Sequence, residues 1–200
     1  MSLSINFIFI ILFYFIGSIP FALILPKLFG LGDIRNIGSG NVGATNVLRT
    51  GNKYLAFGVL CCDVLKGLIP FFLLNLFFDN IGLLHTIFLC HFAILGHIFP
   101  FWLKFKGGKG VATYIGFLFG INLFLGLSFI TVWMMIALIA RYSSLSSIVA
   151  SLIAPIYFFI NNNNHICIFL LYLFLIIILK HRENIKRLIN RTENKIKLSK

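Results

Sequence analysis

The chain is poor in acidic residues. Only five of its 200 residues are Asp or Glu, and they are scattered along its length: Asp33, Asp63, Asp79, Glu183 and Glu193. Paired magnesium ions for phosphotransfer between nucleotide-linked lipids and alcohols need several carboxylates close together. The sequence excludes that kind of site.

Patterns that bind metals or cofactors are also missing. The four cysteines lie in apolar runs without the spacing of metal or redox motifs, so we interpret them as small core residues. His85, His91 and His97 recur every six residues, which does not place them on one face of a helix. We therefore expect no metal site and no cofactor.

Charged residues of either sign are scarce. They make up 11% of the chain against 60% hydrophobic residues, and the mean hydropathy is +1.00. A soluble domain of this size could not cover its surface with so few charges, so the composition indicates a polytopic membrane protein. The net charge of +12 needs no nucleic-acid partner, because Lys and Arg concentrate on the cytoplasmic side of membrane proteins.

Apolar runs separated by basic or polar residues predict the membrane spans. There are seven such runs, at residues 3–25, 54–78, 83–103, 111–121, 123–140, 145–160 and 165–179. Val111 to Ala140 would measure about 45 Å as one helix at ~1.5 Å per residue, too long for one pass of a core of about 30 Å and short for two. Two passes there place Arg141, the lysines at 104–109 and the basic C-terminal residues on one side, which the positive-inside rule makes cytoplasmic.

We therefore predict an all-α, polytopic integral membrane helix bundle. It has about seven transmembrane helices, with the N-terminus outside and the C-terminus cytoplasmic. We expect residues 1–185 to form a single transmembrane domain and residues 186–200 a basic cytoplasmic tail.

The segment Gly38–Arg49 is small, polar and glycine-rich between two apolar runs. Glycines allow tight turns and close approach to a ligand, and the Ser, Asn, Thr and Arg side chains can all hydrogen-bond an oxyanion. If its second half is helical, Thr45 and Asn46 share a face with Arg49. We interpret this segment as part of an active site.

A second polar segment has three glycines, Gly107, Gly108 and Gly110, around Lys109. They lead directly into an apolar helical run, so backbone N–H groups and the helix dipole favour an anion there. The segment is not a Walker loop, because Leu103 stands where its first glycine is required and Gly110 replaces the Ser or Thr that holds magnesium. We expect residues 107–110, called the glycine loop below, to bind a phosphate that does not belong to a nucleotide.

Two further polar segments lie on the same predicted side of the membrane. The hydroxyl-rich residues 141–147 favour capping of the next helix, with ligand contact as the alternative. His181 and Asn184, three apart at the end of the last predicted span, point the same way. The imidazole of His181 is either a proton acceptor or a partner of the helix dipole.

Asp63 and Lys66 form a charged pair within an apolar run. Charges inside a membrane are energetically unfavourable and usually face a cavity or a partner. The alternative is that the two side chains simply neutralise each other.

One common arrangement for acyl transfer to glycerolipids is absent, because none of the five histidines is followed by an acid five positions later. What is present resembles, over essentially the whole chain, the bacterial acyl-phosphate:glycerol-3-phosphate acyltransferases of the PlsY type. The resemblance is carried by residues 17–20 (Gly-Ser-Ile-Pro), residues 38–49, Asp63-x-x-Lys66-Gly67, His97-x-x-Pro100 with residues 105–113, and residues 181–185 (His-Arg-Glu-Asn-Ile).

The resemblance implies transfer of an acyl group from acyl phosphate to the sn-1 hydroxyl of glycerol-3-phosphate. The products are lysophosphatidic acid and inorganic phosphate. It further implies a multi-pass protein of the bacterial cytoplasmic membrane with its active site on the cytoplasmic side. A soluble enzyme that makes acyl phosphate is then an expected partner, in addition to the two substrates and the bilayer.

For individual residues, the resemblance implies that Ser39 and Arg49 are essential and that the glycine loop binds glycerol phosphate. It implies that His181 and Asn184 support activity and that Glu183 maintains structural integrity. In the serine-rich segment, the matching positions are Ser144 and Ser147, which we assign to substrate binding. Three other residues join that assignment: Thr45, Lys66 and Lys104.

The expected mechanism positions two phosphates and polarises a carbonyl. Lys109, Arg49 and the glycine loop hold the phosphates, while Ser39, Asn41 and Asn46 orient the acyl phosphate and the developing oxyanion. The proton of the glycerol hydroxyl passes either to a histidine base, His181, or to an oxygen of a substrate phosphate.

A transporter for an organic phosphate is the alternative, because a basic cavity between helices would have similar residues. Broken helices paired across two repeated halves would favour it, and the sequence has no such repeat.

Overall fold

The computed structural model describes residues 2–196 and divides into two compact units, with the boundary between Ile121 and Asn122. Over these residues the protein is all helical, as expected, with no strand. The first unit contains α1 Leu3–Ser18, α2 Phe21–Leu28, α3 Ala44–Val47, α4 Lys53–Phe77, α5 Leu83–Ile98 and α6 Val111–Ile121. The second unit contains α7 Leu123–Ala140, α8 Ser143–Ala150, α9 Ile153–Ile160, α10 Asn164–Lys180 and α11 Arg182–Ile189.

Each of the seven apolar runs is largely helical. Within residues 2–196, four segments are long and apolar enough to cross a membrane alone: Lys53–Phe77, Leu83–Leu103, Leu123–Ala140 and Ser143–Ile160. The bent pairs α1–α2 and α10–α11 raise the number to six. Helix α6 has 11 residues, about 16 Å at ~1.5 Å per residue, so the count of seven and the orientation of the termini stay predictions.

Glycines bring helix backbones into direct contact in the first unit. A Cβ on Gly17 of α1 would lie 1.9 Å from the carbonyl oxygen of Ala93 on α5. A Cβ on Gly116 of α6 would lie 1.8 Å from the carbonyl oxygen of Val64 on α4. Neither position has room for a side chain. The glycines therefore allow α1 to pack closely on α5 and α6 to pack closely on α4.

The break between α1 and α2 is held by side chains from two other segments. The helices meet at a bend of 42° around Ile19 and Pro20. Trp102 Nε1 donates to the Ser18 carbonyl at 2.8 Å, and Lys66 Nζ donates to the Ile19 carbonyl at 2.9 Å. The Trp102 bond gives the Ser18 carbonyl a donor at the interrupted helix end, and the Lys66 bond adds a second donor to the Ile19 carbonyl, which also accepts from the Phe21 N–H at 3.1 Å.

The second unit continues beyond the last apolar run. Helix α10 bends by 62° into α11. The sequence predicted His181 at the end of the last helix, but the residue lies between these two helices. After α11 the backbone N–H of Ile196 donates to the Arg141 carbonyl at 2.7 Å. The predicted basic tail, residues 186–200, therefore begins within a helix, and its residues 197–200, including Lys197 and Lys200, lie outside the described residues.

We predict that Gly116→Ala destabilises the protein by about 1–3 kcal/mol, because the added methyl group separates α6 from α4. The matched control is Gly58→Ala on α4, where a Cβ would have no neighbour within 4 Å. Thermal unfolding in detergent measures both variants. Equal unfolding midpoints for the two variants would contradict the close helix contact.

Candidate active site

The Gly38–Arg49 segment is anchored by apolar side chains. Ile34, Val42 and Val47 are buried in one cluster with Ala22 of α2 and Val59 of α4. Burial of the apolar residues fixes the backbone, while Ser39, Thr45 and Arg49 stay exposed. The segment is thus an ordered part of the first unit.

Ser39 lies on a tight turn between two glycines. Gly38 and Gly40 have φ angles of 59° and 66°, the left-handed region that side chains disfavour. The turn is closed by Asn46, whose Oδ1 accepts from the Ser39 backbone N–H at 3.1 Å and from its Oγ at 3.4 Å. Asn46 Nδ2 donates to the Ile34 carbonyl at 2.8 Å, and the residue is 1% exposed. Asn46 therefore fixes the exposed Ser39 in place.

Arg49 lies over the same turn. A Cβ on Gly38 would be 2.5 Å from Arg49 Cδ and 2.7 Å from Arg49 Nη1, so the glycine makes room for the guanidinium. The segment's second half is helical, which is the condition stated above for a shared face of Thr45, Asn46 and Arg49: α3 is followed by a 3₁₀ turn at Leu48–Thr50. Thr45 and Arg49 are exposed, whereas Asn41 is partly buried.

The glycine loop folds back on the end of α5. The Gly107 N–H donates to the Ile98 carbonyl and the Gly108 N–H to the His97 carbonyl, each at 3.1 Å. Gly110 has a φ of 85° and immediately precedes α6, so the first turn of that helix adjoins the loop. Lys104 is exposed and Lys109 partly exposed. The arrangement provides the helix N-terminus and the positive charges expected for binding an anion.

Gly108 is where the two polar segments meet. A Cβ on this residue would lie 2.1 Å from His97 Nε2 and 2.5 Å from the Val42 carbonyl oxygen. The structure thus brings the glycine loop against the segment that carries Ser39 and Arg49. Two motifs that are far apart in the sequence form one polar region of the first unit.

Asp63 and Lys66 are buried and paired, with Lys66 Nζ 2.7 Å from Asp63 Oδ1. Their side chains are 2% and 3% exposed, respectively. The Lys66 ammonium also donates to the Ile19 carbonyl and lies 5.7 Å from the centre of the Phe21 ring. The ammonium of Lys66 is therefore already engaged by protein groups.

In the second unit the serines do not cap a helix. Helix α8 follows Tyr142, which makes no side-chain cap, and Ser144 and Ser147 lie inside the helix. The capping prediction is wrong because the helix begins at Ser143, so Ser146 and Ser147 lie within it and donate to the carbonyls of the preceding turn. Ser147 Oγ donates to the Ser143 carbonyl at 2.8 Å and accepts from Trp133 Nε1 at 3.0 Å.

Glu193, which the sequence did not single out, organises the second unit. Ser144 Oγ donates to its Oε1 at 2.8 Å, Asn184 Nδ2 to its Oε1 at 2.6 Å, and Arg187 Nε to its Oε2 at 2.6 Å. Burial raises the pKa of Glu193, but the three hydrogen bonds outweigh burial and place its pKa below the ordinary value.

The structural role expected of Glu183 is not supported. Its side chain is 68% exposed and lies 3.7 Å from that of its neighbour Arg182. An exposed pair of this kind contributes little to stability. The side chain of Glu193, which is 8% exposed and bound by three groups, has the contacts that such a role requires.

His181 is 2% exposed at the junction of α10 and α11. Its Nδ1 lies 2.8 Å from the Ile177 carbonyl oxygen, which can only accept, so Nδ1 carries the proton. The neutral imidazole then has Nε2 as its basic nitrogen.

The fold and the joined polar segments define a helical integral membrane protein with a polar region built from loops, a helix N-terminus and basic side chains. Comparison with known proteins gives the family. Residues 7–191 match the family described as "Glycerol-3-phosphate acyltransferase", and the chain belongs to that family.

Relatives of that name are similar over most of their length. The protein from Pelagibacter ubique is 51% identical over 185 residues, covering 92% of this chain and 94% of its own. The protein from Brucella anthropi is 48% identical over 183 residues, covering 92% of this chain and 89% of its own.

Two solved structures share the fold. The crystal structure of PlsY, an integral membrane glycerol 3-phosphate acyltransferase, in its glycerol 3-phosphate form is 37% identical with a TM-score of 0.88, and covers 96% of both chains. Its lysophosphatidic acid form is 36% identical with a TM-score of 0.85, and covers 95% of this chain and 94% of its own.

We predict that Glu193→Gln lowers stability by about 2 kcal/mol, because it removes the charge from three hydrogen bonds. The stabilisation by the carboxylate is fully present above its ordinary pKa of 4.5 and is lost as pH falls through its lower folded-state pKa. Unfolding midpoints measured from pH 7 to pH 3 should therefore converge for wild type and variant at the acidic end. The control Glu183→Gln should follow the wild type, and a Glu193→Gln midpoint equal to wild type at pH 7 would contradict the role of Glu193.

Proposed function

We propose that this protein transfers a fatty acyl group from acyl phosphate to the sn-1 hydroxyl of glycerol-3-phosphate. The products are lysophosphatidic acid and inorganic phosphate, the first step of phospholipid synthesis. We place the reaction at the cytoplasmic side of the bacterial cytoplasmic membrane, with acyl phosphate supplied by a soluble enzyme. The observation that carries the proposal is the contact at Gly108, which joins the glycine loop to the Ser39 and Arg49 segment in a member of this family.

The chemistry suits a site made of donors and cations. Acyl phosphate is a mixed anhydride, so its carbonyl is already activated and phosphate leaves without strong acid assistance. The glycerol oxygen forms an ester bond to the carbonyl carbon while the bond from that carbon to the phosphate oxygen breaks. The protein's contribution is to hold the two substrates together and to stabilise the oxyanion that develops.

The glycine loop and Lys109 bind the phosphate of glycerol-3-phosphate. Backbone N–H groups at the start of α6 supply directional donors, and Lys109 supplies a full charge. Lys104, exposed at the turn before the loop, adds positive charge that attracts the anion.

Ser39 and Arg49 act on the acyl phosphate. Their exposed side chains flank one turn, so a hydroxyl and a guanidinium reach the same ligand. Asn41 and Thr45 complete the donors of this segment. The acyl chain extends from there along apolar helix surfaces into the bilayer.

Several residues assigned to substrate binding are better explained as positioning residues. Asn46 uses both ends of its amide within the protein, and Lys66 is buried in its ion pair. In the second unit, Ser147 and Ser144 bond to Trp133 and Glu193. We propose that these four hold the backbone and that substrate reaches other groups.

In the second unit, we propose that His181 supports proton transfer from the glycerol hydroxyl through Nε2. The departing phosphate is the alternative acceptor. Asn184, held by Glu193, supports activity by fixing the start of α11 beside His181. His181→Ala with unchanged turnover at saturating substrate would assign the proton to the phosphate.

We predict that Ser39→Ala and Arg49→Ala each lower acyl transfer at least about 100-fold, the loss typical of removing an oxyanion donor. The matched control is Arg35→Ala, which removes an exposed arginine paired with Asp33. Purified protein in lipid is given labelled glycerol-3-phosphate with either acyl phosphate or acyl-CoA, and lysophosphatidic acid is measured.

Product from acyl phosphate alone, lost in the two site variants and retained in Arg35→Ala, is the expected result. Product from acyl-CoA would overturn the assignment of the donor. Uptake of glycerol-3-phosphate into vesicles without any product would instead favour an organic-phosphate transporter.

We also predict that Lys109→Met raises the KM for glycerol-3-phosphate about tenfold or more, because one charged hydrogen bond to the phosphate is lost. Lys106→Met, an exposed lysine three residues earlier, is the control and should change KM less than threefold. Initial rates measured at varied glycerol-3-phosphate concentrations give the KM of each variant. Equal KM values for the two variants would mean that the loop binds phosphate without Lys109.

A further inference from the structure

Three polar side chains are buried beneath the glycine loop. Asp63 and Lys66 come from α4 and His97 from the end of α5, and Asp63 Oδ1 is 2.7 Å from Lys66 Nζ and 3.7 Å from His97 Nδ1. Their side chains are 2%, 3% and 7% exposed. A buried ion pair seldom contributes more stability than apolar residues of the same size, so it calls for another explanation.

The residues at the two ends of this network, Lys66 and His97, lie against the backbone of other segments. Lys66 Nζ bonds to the Ile19 carbonyl at the break between α1 and α2. The His97 ring lies so close to Gly108 that a Cβ there would be 2.1 Å from His97 Nε2. The network thus links a helix break to the point where the glycine loop contacts Val42.

The space around the network is too small for a substrate. The cavity lined by Asp63, Lys66, His97 and Gly108 has a volume of about 10 Å³, which is the size of a single water molecule. The three side chains must therefore act through the backbone that they touch.

We infer that Asp63, Lys66 and His97 form a positioning network that holds Gly108 against Val42, and that His97 is a positioning residue for binding of glycerol-3-phosphate. The inference rests on the proposed function, in which the loop binds the phosphate. The Gly107 and Gly108 N–H groups are bonded to the end of α5, so the backbone donors for a phosphate are those at the start of α6. Displacement of Gly108 moves Lys109 and that helix start away from the phosphate and weakens its binding. The effect falls on the KM for glycerol-3-phosphate rather than on kcat, because the chemical step occurs elsewhere on the substrate.

His97→Ala and His97→Gln test the network in the full-length protein in lipid. We expect His97→Ala to raise the KM for glycerol-3-phosphate about tenfold, because displaced donors weaken their bonds to the phosphate without removing them. The kcat and the KM for acyl phosphate should change less than twofold. His91→Gln is the matched control, because His91 is a buried histidine of the same helix that bonds to the Phe88 carbonyl instead.

A double variant tests whether His97 acts through Gly108. Gly108→Ala should also raise the KM for glycerol-3-phosphate, because its methyl group meets His97 and the Val42 carbonyl. If His97 acts through Gly108, the double variant has nearly the KM of the worse single variant. Independent effects would multiply instead and would overturn the inference.

The outcomes separate the inference from the proposed function. Wild-type protein that makes no lysophosphatidic acid and binds no glycerol-3-phosphate by calorimetry overturns the proposed function itself. Wild-type activity with an unchanged KM in both His97 variants overturns only the network. Should His97→Ala fail to fold, His97→Gln gives the same comparison, and a fall in kcat at constant KM would also exclude a positioning role.

Discussion

The close approach of Gly108 to the Val42 carbonyl is the contact on which the polar region of the first unit depends. It leaves no room for a side chain, so two loops from distant parts of the sequence pack backbone against backbone. Apolar burial of Val42 and its neighbours holds one side of the contact, and hydrogen bonds to the end of α5 hold the other.

The sequence predicted the helices well because apolar runs and their breaks are local properties. It also identified both polar segments, because a glycine-rich polar stretch stands out between apolar helices. It could not show that both ends of the Asn46 amide are hydrogen-bonded within the protein, since one of its partners is Ile34, 12 residues away. The same applies to Lys66, whose bond to Ile19 spans 47 residues.

Glu193 shows most clearly which contacts the sequence could not predict. It lies among basic residues beyond the last apolar run, where charge alone indicates a solvated tail. Its bond to Ser144 joins positions 49 residues apart, and nothing in the local pattern predicts it. The available signal was the scarcity of acids: the chain has five in 200 residues, so each of them is a candidate for a specific hydrogen-bonded role.

The contacts of Glu193 and Ile196 with the start of α8 and the end of α7 also have a consequence for biosynthesis. Both residues follow every membrane helix in chain order, so the ribosome delivers α7 to α11 before the groups that tie them together. The hydrogen bonds of Ser144 and Asn184 to Glu193 therefore form only after the last helix has been synthesised.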